Sequence, residues 1–243
     1  MRLDKYLCDM GIGTRSQVKE KIRKGLVTVE GALVQRPEYQ VGKEQQVHVE
    51  GVLVSYTEME YYMLNKPAGC VSARTDGKCQ TVLDLIASKK RKDLFPVGRL
   101  DKDTEGLLLI TNDGMLAHML LSPRRHVDKT YEAKIRGWIT EEHVKLFGAG
   151  LDIGEERPAL PASLEILASG EVSEIQVTVQ EGKYHQIKRM FQAVDCEVLY
   201  LKRLSMGSLK LDERLKPGEY RPLTADELAA LQSGRIGMRG TQC

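Results

Sequence analysis

The sequence predicts an α+β fold: a small module of two helices and a few short strands, then a larger domain built on a mainly antiparallel sheet. Three observations lead there. Apolar residues recur at helical spacing near the start, at Leu3, Tyr6, Leu7 and Met10. Farther on, strand-like runs outnumber helical ones, and most neighbouring runs are close enough to join as hairpins. Residues 107–111, Leu-Leu-Leu-Ile-Thr, form a continuous apolar run between Gly106 and Gly114, which reads as a buried strand.

The elements follow in order. The first helix covers residues 2–10, and Gly11 and Gly13 end it. Thr14 caps a second helix, with Gln17 three residues later as its capping-box partner. That helix runs to about Lys24, where Gly25 stops it. Short strands come next at 27–29, 33–34, 47–49 and 52–54, with turns at Glu30-Gly31 and Glu50-Gly51. Residues 55–60 read as a linker. A strand at 61–65 leads into a turn forced by Lys66-Pro67-Ala68-Gly69. Residues 81–87 are a short helix candidate. After the 107–111 strand come a helix at 115–121, a strand at 129–135 and a helix capped by Thr140. Strands at 164–166 and 173–180 follow. A helix carries Ile187, Met190, Phe191 and Val194 on one face, and 197–205 is the next strand. Thr224 and Glu227 form a capping box for a last helix over 225–232. The tail, 233–243, has no period and is expected to be disordered. The implied domains are 1–55 and 60–232.

Composition narrows the function classes. The 243 residues suffice for a small module plus one larger domain. No apolar run approaches the ~18–20 residues that a membrane span needs, and the N-terminus lacks the apolar core of a secretory signal. A cytoplasmic protein is expected. Five cysteines, an odd number without a C-x-x-C pair, argue against a disulfide framework and a zinc site. His118, His126, His143 and His185 form no metal-ligand spacing with carboxylates or thiols, so no metal is expected. The absence of coiled-coil heptads or a large apolar surface leads us to expect a monomer. Net charge is only +2, but residues 1–36 hold eight Lys or Arg against four acids. A local basic excess is the electrostatic footprint of an RNA binder. Two further basic runs lie at 89–92 and 124–129. The former reads as a solvated loop, or as an RNA contact if it lies beside the active segment.

Two motifs carry a resemblance. RLDKYL at 2–7 and TRSQVKEKIRKGLVTVEG at 14–31 resemble the S4 RNA-binding domain, a small αL-type fold of two helices on a few strands. The resemblance covers residues 1–54 and implies phosphate contacts from Arg2, Arg15, Ser16, Lys19 and Lys24. Such contacts position a protein on nucleic acid without reading sequence. From spacing alone, Asp101, Asp103 and Glu105 are ordinary loop acids, because turn chemistry makes loops acid-rich. GRLDKDTEGLLLITNDG, residues 98–114, nevertheless resembles the central motif of the RsuA family of pseudouridine synthases, which modify bacterial ribosomal RNA. NKPAG followed by VSA resembles that family's first motif, which is largely structural around the catalytic cleft.

The resemblance implies specific roles. Asp101 corresponds to the family's one essential catalytic aspartate. Lys188, in GKYHQIKRM, corresponds to the basic residue that pairs with it, with Arg189 as the alternative. A cation within ~4–6 Å favours the charged carboxylate. Many relatives carry Arg there; Lys keeps the charge and loses the bidentate fork. Tyr131, in KTYEA, corresponds to the tyrosine that stacks on a flipped base, and Arg99 to the arginine that fills the gap the base leaves. Pseudouridine formation breaks the uridine N-glycosidic bond, turns the base and rejoins it through carbon. Nothing is oxidised and no group is imported, so no cofactor is expected. For Asp101 three routes stay open: attack on the sugar, addition to the base, or proton abstraction. The target is expected to be one uridine of 16S rRNA, free or in a small-subunit assembly intermediate. The large-subunit 23S enzymes share every motif quoted. A noncatalytic S4-bearing RNA-binding or assembly factor is the reading from another class, and the trio Asp101, Tyr131 and Lys188 argues against it. Asp101 and Asp103 as paired glycosidase carboxylates lack an accompanying aromatic cluster, aromatic content being 5%.

Overall fold

The computed structural model describes residues 1–42 and 44–236 and divides into two compact units. The first unit comprises Met1–Glu60 and Ala87–Leu94. It opens with α1 (Leu3–Asp9) and α2 (Arg15–Arg23). Leu3, Tyr6 and Leu7 of α1 and Val18 and Ile22 of α2 are buried, as their spacing requires. The α2 start is the expected capping box: Thr14 N–H donates to Gln17 Oε1 at 2.9 Å, and Gln17 N–H donates back to Thr14 Oγ1 at 3.4 Å. Four strands follow, β1 (Val27–Val29), β2 (Ala32–Leu33), β3 (Val47–Val49) and β4 (Val52–Val54), in the order β2-β1-β3-β4. Tyr6 stitches helix to sheet, its hydroxyl donating to Val54 O at 2.6 Å.

The segment Ala87–Leu94 was expected to belong to the larger domain, yet its contacts group it with the first unit. The reason is Arg91. It is 5% exposed, so the basic run at 89–92 is not uniformly solvated. Its guanidinium donates to Asp93 Oδ1 at 2.8 Å and to Thr57 O at 3.1 Å and lies 5.3 Å from the centre of the Tyr56 ring. The Glu60 carboxylate accepts the backbone N–H groups of Lys90 and Arg91.

The second unit is organised on a mixed sheet in which seven strands run in the order β13-β5-β7-β11-β8-β10-β9. These are β5 (Tyr61–Lys66), β7 (Glu105–Thr111), β8 (Lys129–Arg136), β9 (Ser163–Ala168), β10 (Val172–Val179), β11 (Glu197–Met206) and β13 (Tyr220–Pro222). Two short strands complete it: β6 (Phe95–Pro96) on β7, and β12 (Leu209–Lys210) on β11. Among the described strands of this sheet only the β7–β11 pairing is parallel; every other is antiparallel. Around the sheet pack α3 (Gly114–Leu121), α4 (Glu141–Ala149), α5 (Gln186–Gln192) and α6 (Ala225–Ile236). Among the described residues no helix is long and apolar enough to cross a membrane.

Strand β7 is the spine. Leu107 to Ile110 are each fully buried, so both faces of the strand are covered. Its parallel contact with β11 depends on Gly106, whose φ is +100° and whose Cβ, if present, would sit 2.3 Å from Arg203 O and 2.7 Å from Arg203 N. Gly106→Ala therefore forces the two strands apart. We expect a loss of about 2–4 kcal/mol, measured by urea unfolding of the full chain.

Two sequence expectations change. Residues 81–87 are not a helix. Asp84 N–H bonds Thr81 O and Ile86 N–H bonds Leu83 O, three residues back rather than four. Thr81 N–H and hydroxyl both donate to Asp84 Oδ2 at 2.8 Å. This side-chain turn competes with continuous helical hydrogen bonding. The last helix runs to Ile236, four residues past its predicted end, so 233–236 are not a disordered tail. The remainder of the expected tail, 237–243, lies outside the described residues.

Candidate active site

The segment 97–104 enters β7 and carries the acids. A turn closes with Thr104 N–H on Asp101 O at 3.1 Å. Residues of the NKPAG and VSA motifs grip its backbone. Ser72 Oγ donates to Leu100 O at 2.8 Å and accepts Leu100 N–H at 3.0 Å. Gly69 N–H donates to Lys102 O at 2.7 Å. Lys66 is fully buried, and its ammonium donates to Thr104 O at 2.8 Å, Pro67 O at 3.0 Å and Lys102 O at 3.2 Å. Burial pushes the Lys66 amine below the ordinary lysine range, against the attraction of nearby acids. The acidic turn is thus clamped from beneath, as a positioned reacting group requires.

The turn into α5 supplies the facing side chains. After the turn at Glu181-Gly182-Lys183, His185 takes a left-handed conformation (φ 48°, ψ 35°), and α5 begins at Gln186. His185, just ahead of the helix, and Lys188, within it, both reach Asp101. Lys188 Nζ lies 3.4 Å from Asp101 Oδ2, and His185 Nε2 lies 3.5 Å from Asp101 Oδ1. The shorter contacts of Lys188 go to Asp103, at 2.7 Å and 2.8 Å. The lysine therefore bridges both acids instead of serving Asp101 alone. Partial burial opposes the Lys188 charge, but Asp103 first and Asp101 second outweigh it and hold the ammonium above its ordinary range. The same pair holds Asp103 below the usual carboxylate range.

Asp101, His185 and Lys188 line one open hollow. Its wall includes Arg99, Asp101, Tyr131, His185 and Lys188. Tyr131 projects from β8, flanked in register by Val177 and Arg203, and is 8% exposed. Rigid strand neighbours fix its ring. Asp101, at 28% side-chain exposure, remains open to a ligand. Four of the sequence-derived residues, Asp101, Lys188, Tyr131 and Arg99, thus converge. Arg189 does not. Its guanidinium bonds Glu155, Ile153 O and Tyr184 O, away from the hollow. Sequence reasoning missed His185 and Asp103. The signal was present: His185 stands three residues before Lys188 in the same motif, and Asp103 two residues after Asp101 in a turn.

In the first unit, the basic residues behave differently from one another. Arg15, Ser16 and Lys24 are exposed and Lys19 is half-buried. Arg2 is forked onto the fully buried Asp4 at 3.0 Å and 2.9 Å, and the Arg2 guanidinium holds the Asp4 carboxyl below its usual range. Lys24 pairs with Glu20 at 2.7 Å on the helix surface. Among the described residues no group of three or more His, Cys, Asp or Glu is placed to hold a metal ion.

Comparison with known proteins adds to this geometry. The family profile described as RNA pseudouridylate synthase matches residues 60–193, and the S4 domain profile matches residues 1–47. A Bacillus subtilis protein named as an uncharacterized RNA pseudouridine synthase, YtzG, is 47% identical, over 95% of this chain and 98% of its own length. The ribosomal small subunit pseudouridine synthase A of Haemophilus influenzae is 39% identical, over 95% of this chain and 99% of its own. A solved structure of a pseudouridylate synthase matches with a TM-score of 0.67 at 37% identity, covering 95% of this chain and 99% of that one.

Proposed function

Because this chain belongs to the RNA pseudouridylate synthase family and carries an S4 RNA-binding domain ahead of the synthase domain, we propose that it isomerises one uridine of 16S rRNA in the cytoplasm. In this reading Asp101 is the catalytic carboxylate and Lys188 its counter-charge. Tyr131 is the platform for the flipped base, and Arg99 takes the space that base vacates in the RNA. The observation that carries it is the convergence of those four side chains on one hollow. The reaction breaks the bond from the sugar C1′ to N1 and forms one from C1′ to C5. C5 gives up its proton and N1 gains one, so atoms and electrons balance without an oxidant or an imported group. Extruding the base costs a few kcal/mol, which stacking on a fixed aromatic ring helps to offset.

The small-subunit assignment is supported by the full-length match to enzymes named for that subunit. Incubation with 16S or 23S transcripts labelled at uridine C5 with tritium tests it. Release from 16S alone is expected, and release from 23S alone would refute the subunit assignment. The first unit anchors the RNA through Arg2, Arg15, Ser16, Lys19 and Lys24. Arg15→Gln with Lys19→Gln should weaken rRNA binding and make its logarithmic salt dependence shallower, by roughly 0.7–0.9 for each phosphate no longer neutralised. A filter-binding titration with an unchanged slope would remove these two from the interface.

A further inference from the structure

We propose that Tyr184, stacked on His185 at the lip of the hollow, binds the nucleobase next to the target uridine. This rests on the reading of the hollow as the uridine site. The Tyr184 and His185 rings lie 3.9 Å apart, centre to centre, and 19° from parallel. His185 belongs to the wall of the hollow and approaches Asp101; Tyr184 does not line it. The stack therefore leads outward from the acid by one ring. Tyr184 is 71% exposed although it is a large aromatic residue. One face rests on His185, which leaves the ring's other surface toward solvent.

The backbone beneath the stack is held firmly. His185 occupies the left-handed region, which a non-glycine residue adopts at a cost. Tyr184 O accepts from Arg189 at 3.2 Å, and Arg189 is itself tied to Glu155. Lys183 Nζ is fastened to Arg157 O at 2.7 Å and Pro158 O at 2.9 Å. An exposed aromatic ring presented from a braced, basic turn has the chemistry of a stacking platform for single-stranded RNA. Every base has a π-face, so such a platform tolerates sequence. When a uridine is extruded its neighbour loses a stacking partner, and Tyr184 is placed to supply one.

Steady-state tritium release from mixed unmodified 16S and 23S transcripts tests this, with wild type, Tyr184→Ala, Tyr184→Phe and Asp101→Asn in parallel. Tyr184→Ala should raise KM by about tenfold with kcat within about twofold, because stacking is removed before chemistry begins. Tyr184→Phe keeps the ring and should match wild type. An unchanged KM in Tyr184→Ala overturns the proposal, with Asp101→Asn inactive and the uridine site intact. A fall confined to kcat overturns it too, since Tyr184 would then only brace His185. Full activity in Asp101→Asn would overturn the uridine site and this proposal together.

Discussion

Asp101→Asn is expected to abolish tritium release, by at least about 10³-fold in kcat, while rRNA affinity stays within about twofold. The substitution is nearly isosteric and removes one negative charge. Lys188 does not become an unpaired cation, because its shorter contacts are to Asp103. The turn also survives: Ser72, Gly69 and Lys66 hold the backbone of residues 100–104 and do not touch the Asp101 carboxylate. Unfolding free energy should change by less than about 1 kcal/mol, in line with partly exposed pairs. Abolished activity with retained fold and binding therefore isolates the chemical role of the carboxylate.

The second large effect is on Lys188. Lys188→Met should lower kcat by roughly 10²–10³-fold with a smaller change in KM, and Lys188→Arg should restore most of it. Without the ammonium, the carboxylates of Asp101 and Asp103, which both contact it in the wild type, lose their shared cation. Like charges favour protonation of one member, so the acid limb of the kcat profile should move toward neutral pH. An unshifted limb would separate Lys188 from the reacting acid. Lys188 is raised in the fold, so its contribution to wild-type stability is present below the ordinary lysine value of 10.5 and is lost as pH climbs through the raised value. Asp103 is lowered, so its contribution is present above the ordinary 3.8 and is lost as pH falls through the lowered value. The bridge is complete across the neutral range. Asp103 is 71% exposed, so the pair adds little to stability, and its consequence is electrostatic control of the site.

Much of the architecture is legible in the amino-acid sequence, for reasons that differ by element. Capping boxes are local chemistry, and both Thr14 with Gln17 and Thr224 with Glu227 form as read. The buried strand at β7 announces itself by an unbroken apolar run. Strands β6, β12 and β13, of two or three residues, carry no period to detect. Residues 81–87 mislead because Val82, Leu83 and Ile86 are buried at helix-like spacing, while the Asp84 carboxylate closes a tight turn on Thr81 instead. Arg91 is unreadable as a buried residue because its partners Tyr56, Thr57 and Glu60, distant in sequence, are chosen by tertiary placement. The site shows the same division. Motif resemblance locates Asp101, Tyr131, Arg99 and Lys188, while the choice of Lys188 between two acids two residues apart depends on ångström-scale geometry. So does the stack of Tyr184 on His185, which forms where His185 turns left-handed.

The most direct measurement is made in the cell. Ribosomal RNA from a strain lacking this gene, complemented with wild type or with Asp101→Asn, is treated with a carbodiimide that adds mass to pseudouridine, then digested and mapped by mass spectrometry. One 16S position should be uridine in the deletion, pseudouridine with wild type, and uridine again with Asp101→Asn. A 16S map identical in all three strains, or full restoration by Asp101→Asn, would contradict the account.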